Sequence, residues 1–265
     1  SRSTQQLEIG QFSDPGQRRS NNEDWLGTFQ PQDPVHRQRK GSLFLVADGM
    51  GGHQSGELAS RYAADRIIRH YMRDQSTNVA ASLREAIEDA NATLYARATA
   101  SENGPKWGTT VVAAVVRGSQ LWIANVGDSR AYLLRDGQLR QLSRDHDLAS
   151  ELGVNPSARW MGRHMVTRAL GQKPKVAVDV FPPLGLRARD RILLCSDGLT
   201  NPLSSEEIRE IATGSSPQAA AGALVKAANE RGGPDNVSVI LIRVAGGTGG
   251  LDWQTMKGLA VSLAR

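Results

Sequence analysis

The sequence predicts an α+β fold in which antiparallel sheets are covered by helices. Three features point to it. Short apolar or β-branched runs, such as Phe44-Leu45-Val46-Ala47, Thr109 to Val116 and Val237 to Val244, have the length and composition of strands. Two longer stretches place apolar residues at three- and four-residue steps, as a helix facing a core requires. The order is two helices, a meander of strands, two more helices and a closing strand, which suits sheets packed against helices in one continuous unit.

The elements follow from their residues. The basic clump His36-Arg37-Gln38-Arg39-Lys40 reads as a loop. Phe44 to Ala47 reads as a buried strand that Asp48-Gly49 stops. From about Ser55 to Arg73, residues Leu58, Ala59, Tyr62, Ala63, Ile67 and Tyr71 share one helical face. A second helix runs from about Val79 to Ala100, with Asn78 suited to its N-cap and Leu83, Ile87, Ala90 and Leu94 on one side. Strands follow at Thr109 to Val116, Leu121 to Val126 and Tyr132 to Leu134, the first two joined by a turn at Arg117-Gly118-Ser119. Asp136-Gly137, between Leu134 and Leu139, is a tight-hairpin signal. From about Asp145 to Thr167 the pattern is irregular, and Asn155-Pro156 argues against a long helix there.

Arg191 to Ser196 is a further apolar strand, again stopped by Asp-Gly at Asp197-Gly198. Ser204 and Glu207 form a capping box for a helix through Ile211. Ser216 and Pro217 open the next helix, and Gly232 closes it. After the strand Val237 to Val244, Gly246-Gly247-Thr248-Gly249-Gly250 reads as a flexible linker and Leu251 to Arg265 as a short tail. One domain over 5–245 with an appendage over 246–265 is expected.

Composition removes several classes of function. The chain has 265 residues, 39% hydrophobic and 22% charged, which is the make-up of a globular protein and not of a disordered one. No apolar run reaches the roughly 18 residues of a spanning helix, and the polar start at Ser1 lacks the apolar centre of a signal peptide. With Cys195 as the single cysteine, an intramolecular disulfide and a cysteine-based zinc cage are excluded, and a reducing cytoplasmic compartment is expected. The net charge of +5 is compatible with nucleic acid, an anionic membrane surface or phosphorylated substrates and decides among none of them. A nucleic-acid binder is not expected, because no aromatic-studded basic strand or recognition helix is present.

The chemistry lies with the aspartates. Asp48 and Asp197 each end an apolar strand and precede glycine; Asp128 follows Leu121 to Gly127; Asp235 precedes the strand Val237 to Ile240. A fifth, Asp24, precedes Trp25-Leu26. Strand ends lie at the rim of a layered core, and carboxylates that share one rim repel each other until protons or cations relieve them. An all-oxygen donor set favours hard cations, Mg²⁺, Mn²⁺ or Ca²⁺, over Zn²⁺ or Cu²⁺. Two such ions ~3.5–4 Å apart serve in-line attack by water on a phosphoester. A single Asp-Gly is far more often a turn than a ligand, and Asp136-Gly137 is such a turn. The signal is the recurrence at matching strand ends.

The ordered series Gly16-Gln17-Arg18-Arg19-Ser20-Asn21-Asn22-Glu23-Asp24, Asp48-Gly49-Met50-Gly51-Gly52-His53, Gly108-Thr109-Thr110, Gly127-Asp128-Ser129-Arg130, Ser196-Asp197-Gly198-Leu199 and Gly233-Pro234-Asp235-Asn236-Val237-Ser238 resembles the bacterial branch of the metal-dependent protein phosphatases (protein phosphatase 2C type), over roughly residues 10 to 243. The resemblance implies a four-layer α-β-β-α sandwich, two antiparallel sheets flanked by helix pairs. It implies hydrolysis of phosphoserine and phosphothreonine in proteins with Mn²⁺ or Mg²⁺, phosphorylated protein substrates, a cognate Ser/Thr kinase and a monomer. Asp48 would bridge two metals, with Gly49 giving its carbonyl to one; Asp197 and Asp235 would complete the other. Asp24, with Glu23, would act directly or through water, and a third, weaker metal would sit between Asp128 and Asp197. Arg19 matches the phosphate-holding arginine, a role suited to its planar fork.

The match has departures. Some family members carry histidine directly after the Asp-Gly as general acid; here that residue is Met50, which has no proton to give. His53, or a water held by a cation, is the substitute, with a plain loop role for His53 as the other reading. His146 is expected to order a loop. The segment between Asp147 and Thr167-Arg168-Ala169-Leu170-Gly171 would be the substrate-facing flap, with Trp160, Met161 and Met165 as contact residues or simple packing. Cys195 lies inside an apolar strand and is expected to pack rather than react. The alternative from another class is a catalytically silent phosphoprotein-binding module of the same fold, against which stand the four core aspartates and Arg19. A phosphatase for an anti-sigma-antagonist type of protein is a further variant that Gly127-Asp128-Ser129-Arg130 disfavours.

Overall fold

The computed structural model describes residues 6–51, 54–100, 107–153 and 165–245. The chain begins with β1 (Leu7–Asp14) and β2 (Asp24–Phe29), followed by a short helix α1 (Pro34–Lys40) and the central strand β3 (Ser42–Met50). Two long helices, α2 (Gln54–Arg73) and α3 (Val79–Thr99), lead into the meander β4 (Gly108–Thr109), β5 (Val111–Arg117), β6 (Gln120–Val126), β7 (Arg130–Arg135) and β8 (Gln138–Gln141). After the turn α4 (Leu148–Glu151) come β9 (Asp179–Val180), β10 (Leu184–Gly185) and β11 (Arg191–Cys195). The helices α5 (Asp197–Thr200), α6 (Ser205–Thr213) and α7 (Pro217–Glu230) precede the last strand, β12 (Val237–Val244).

Two antiparallel sheets result. One runs β1-β12-β11-β7-β8; the other runs β10-β6-β5-β3-β2, with β4 on β3 and β9 on β6. The central strands are apolar on both sides because both faces are covered. On β3, Phe44 and Val46 meet Ile192 and Leu194 of β11 and Ile240 and Ile242 of β12 in the core between the sheets. Leu43, Leu45 and Ala47 face the other way, into a core with Ile67, Leu83 and Ile87 of the α2–α3 pair. A third core sets Leu193, Val239 and Leu241 against Ile208 and Leu224 of α6 and α7. The layers are therefore α-β-β-α, as the resemblance implies.

Local signals account for most boundaries. Asn78 accepts a hydrogen bond from the Ala81 N–H at the start of α3, and the Ser204–Glu207 capping box is complete at α6. Asp136 and Gly137 both have positive φ, 51° and 74°, between paired β7 and β8, the geometry a two-residue hairpin needs.

The structure departs from the sequence reading in three places. The clump His36 to Lys40 is not a loop: Asp33 accepts from the His36 N–H at 2.8 Å, Pro34 occupies the first turn, and the basic residues fill the last turn of α1, where the helix dipole favours them. Lys40, at its end, is buried, with Nζ donating to the Ser76 carbonyl and the Ser82 hydroxyl. Second, Asp48-Gly49 does not stop β3. Asp48 pairs with Asp24 of β2, and Gly49 and Met50 pair with β4, so the strand continues to Met50. Third, Leu58, expected on the core-facing side of α2, is exposed; Asp197-Gly198 does end β11, and it also opens a helical turn, α5. β1 and β2 end their sheets, and their residues alternate too weakly to show as strands until β12 and β3 supply the pairing.

Candidate active site

The strand-end acids meet at one end of the sandwich. Asp48 at the end of β3, Asp128 after β6, Asp197 after β11 and Asp235 before β12 line one cleft of about 480 Å³, together with Arg19, Glu23 and the Gly49 backbone. Sequence distances of up to 187 residues thus collapse to one rim, because these strands run in register through the middle of the two sheets.

Backbone and side-chain hydrogen bonds hold Asp48, Asp197 and Asp235 in place. The Asp48 carbonyl accepts from the Thr110 N–H at 2.9 Å and the Thr109 hydroxyl at 3.0 Å, and its N–H donates to Thr110 Oγ1 at 3.3 Å. Thr110 Oγ1 also lies 2.7 Å from Ser129 Oγ, which joins the Asp48 strand to the turn bearing Asp128. Gly49 has no room for a side chain: a Cβ there would stand 2.1 Å from the Gly56 carbonyl oxygen. Asp197 Oδ2 accepts from Asn201 Nδ2 at 3.0 Å. Asp235 Oδ1 accepts from the Asn236 N–H, and Oδ2 from Arg19 Nη2 at 2.9 Å.

Asn236 is the piece that sequence reasoning missed, although it stands in the Pro234-Asp235-Asn236 motif. Its Oδ1 accepts from the Glu23 N–H at 2.8 Å, and its Nδ2 donates to the Pro15 and Asn21 carbonyls. One buried carboxamide so fastens the loop that carries Arg19 and Glu23 to the start of β12. Ser196 is the second missed residue: its hydroxyl donates to Asp24 Oδ2 at 2.7 Å and accepts from the Ser238 N–H.

Asp24 stands behind the others. It is buried and does not line the cleft; Glu23, the residue before it, does. Burial pushes the Asp24 carboxyl up to about 7, with Asp197 and Asp235 adding repulsion and the Ser196 hydroxyl offsetting part of it. Burial, followed by repulsion from Asp197 and Asp145, pushes Asp128 up to about 8. Asp48 opens on the cleft but is otherwise enclosed, and burial together with Asp24, Asp197 and Asp128 raises it well above the carboxylate range. Arg19, more than half exposed, is held more firmly in its charged form by Asp235.

These residues fit a hard divalent cation. The donors facing the cleft are oxygens, their mutual repulsion calls for positive charge, and Asp24 Oδ1 is shielded from solvent with no hydrogen bond among the described residues. Among the described residues no three acidic, histidine or cysteine side chains close into a finished cage. An oxygen donor set that leaves room for water and a backbone carbonyl would suit Mg²⁺ or Mn²⁺.

Other expected residues are distributed as follows. Met50 lines the cleft, and its sulfur accepts from Gln172 Nε2 at 3.4 Å. Met165, exposed, and Val166 form a wall of the cleft. His53, Trp160, Met161 and the tail over 246–265 lie outside the described residues. Cys195 is buried in β11, where burial pushes its thiol up to about 12, so it packs and is not a nucleophile.

A family model described as protein phosphatase 2C matches residues 20–228. The chain belongs to the protein phosphatase 2C family. The phosphatase is 37% identical over 244 residues to the serine/threonine phosphatase Stp of Listeria welshimeri, covering 87% of this chain and 93% of that protein. It is 33% identical to the protein phosphatase PhpP of Streptococcus pneumoniae, over 89% of this chain and 97% of the relative. Its fold is similar to the crystal structure of Stp1 from Staphylococcus aureus, with a TM-score of 0.82, 31% identity and coverage of 92% and 97%. It is also similar to the catalytic domain of the phosphatase PstP, solved in complex with two manganese ions, with a TM-score of 0.76, 32% identity and coverage of 90% and 98%. The chain is thus a metal-dependent serine/threonine protein phosphatase, whose substrates are phosphorylated proteins. No helix among the described residues is long and apolar enough to cross a membrane.

Proposed function

We propose that the cleft at the end of the sandwich is where this phosphatase hydrolyses phosphoserine and phosphothreonine, with two Mn²⁺ or Mg²⁺ ions seated on its strand-end aspartates. The observation that carries this reading is that acids from both sheets, Asp48 and Asp128 from one and Asp197 and Asp235 from the other, face one cleft with Arg19 at its edge. Asp48 would serve both cations and the Gly49 carbonyl one of them. Asp197 and Asp235 would complete the other, with Asp24, beside Glu23, acting directly or through water. Asp128 with Asp197 would hold a weaker third. When bound, such ions acidify water and offset phosphate charge.

The protein's own groups do the rest. Arg19 presents its guanidinium fork to the phosphate, and its bond to Asp235 Oδ2 ties that fork to the cation seat. Asn236 keeps the arginine loop in place. Met50 contributes no proton, so the leaving alkoxide takes one from His53 or from water. The catalytic domain spans 5–245, acts as a monomer in the cytoplasm and opposes a cognate Ser/Thr kinase; a single buried cysteine suits a reducing compartment. A silent binding module has no use for acids such as Asp24, Asp48 and Asp128 held together at such electrostatic cost, which favours catalysis.

Phosphate release from a phosphothreonine peptide is expected with Mn²⁺ and not with EDTA; turnover undiminished by the chelator contradicts the reading. Arg19→Ala is expected to raise KM for that peptide by about 10–100-fold, the worth of a hydrogen bond to a charged group, while leaving part of kcat. An unchanged KM removes Arg19 from phosphate binding.

A further inference from the structure

His146 lies 19 residues from Gly127 in sequence and does not line the cleft, yet it takes both polar backbone groups of Gly127. The Gly127 N–H donates to His146 Nδ1 at 3.0 Å, and the His146 N–H donates to the Gly127 carbonyl at 2.9 Å, which Asn125 Nδ2 also reaches at 3.0 Å. Gly127 has φ +109°, and a Cβ there would stand 2.5 Å from Thr110 Cβ, so this turn is pinned on its other side as well. An Nδ1 that accepts must be unprotonated; the ring proton therefore sits on Nε2, 3.0 Å from Asp179 Oδ2, and Asp179 in turn pairs with Arg168 at 3.2 Å. The His146 carbonyl accepts from the Thr167 N–H at 2.8 Å, next to the Met165–Val166 wall.

We infer that His146 is a positioning residue for Asp128: ring and main chain together fix the Gly127–Asp128 turn, and the same residue ties that turn to the Met165–Val166 wall of the cleft. Asp179 acts at one remove, by keeping Nδ1 free of its proton. The inference rests on the role given to Asp128 above.

The test is titration of Mn²⁺ into the purified protein by calorimetry, beside phosphopeptide kinetics and thermal melts. His146→Gln loses the acceptor next to Gly127 and is expected to weaken cation binding about tenfold, the cost typical of a lost supporting contact around a metal ligand. Its kcat is expected to fall further than its KM rises. His146→Asn, whose Oδ1 takes the place of Nδ1, is expected to recover most of the affinity. Native Mn²⁺ affinity in a folded His146→Gln, or equal losses in the Gln and Asn variants that follow their melting temperatures, overturns the inference. Should His146→Gln not fold, Asp179→Leu carries the same comparison, since it frees the ring to place its proton on Nδ1. Asp128→Asn titrated alongside separates the two claims. Weakened binding there but not in His146→Gln overturns the positioning role alone, and no weakening in either overturns the assignment of Asp128 and this inference with it.

Discussion

Asp197→Asn is expected to reduce kcat/KM for a phosphothreonine peptide at least on the order of a thousandfold at saturating Mn²⁺, about 4 kcal/mol of transition-state stabilisation. The substitution is isosteric and leaves α5 able to form, so the loss measures charge and ligation and not folding. Asp197 is the common neighbour: its charge reaches Asp24, Asp48 and Asp128 alike. Neutralising it is expected to weaken the hold on cations in the cleft, because an amide replaces a charged carboxylate donor poorly. Melting at the native temperature combined with lost turnover is the expected pair of results. Retained turnover in the folded variant contradicts the placement of chemistry at this cleft.

Metal-free protein is expected to lose stability as pH rises from about 5 to about 8, the reverse of ordinary acid denaturation. The sign follows from Asp24 and Asp128, which burial pushes up to about 7 and about 8 in the folded chain. Above the ordinary carboxylate range the unfolded chain releases these protons while the folded chain keeps them. The folded state then holds more protons than the unfolded one, so each step up in pH favours unfolding until the folded values are passed. Divalent cations reverse this by stabilising the ionised carboxylates. Addition of Mn²⁺ is expected to raise the melting temperature on the order of 10 °C at pH 8 and by much less at pH 5. Melts at the two pH values with and without Mn²⁺ check it; a cation effect larger at pH 5 argues that these acids do not bind the ion.

The contrast between Asp48-Gly49 and Asp136-Gly137 shows how far sequence reaches. The two dipeptides have the same local chemistry and opposite fates: the second is a hairpin turn with both φ values positive, and the first continues a strand into the cleft. Their flanking residues mark the second as a hairpin, but that the first carries its strand on to Met50 follows only from pairing with β2 and β4. α1 was legible in Asp33-Pro34 but was masked by the density of charge that follows. β1 and β2 were not legible, since each depends on one long-range partner strand.

The amino-acid order alone determined the helix faces, the caps at Asn78 and Ser204, the apolar central strands and the recurrence of acids at their ends, because propensity, periodicity and capping act over a few residues. Only the tertiary structure decided that Asp24 stands behind the cleft while Glu23 lines it, that Asn236 fastens the arginine loop and that His146 braces the Gly127–Asp128 turn. Those outcomes depend on contacts 19 to more than 200 residues apart, and the register of two sheets, which sets them, is a property of the packed whole.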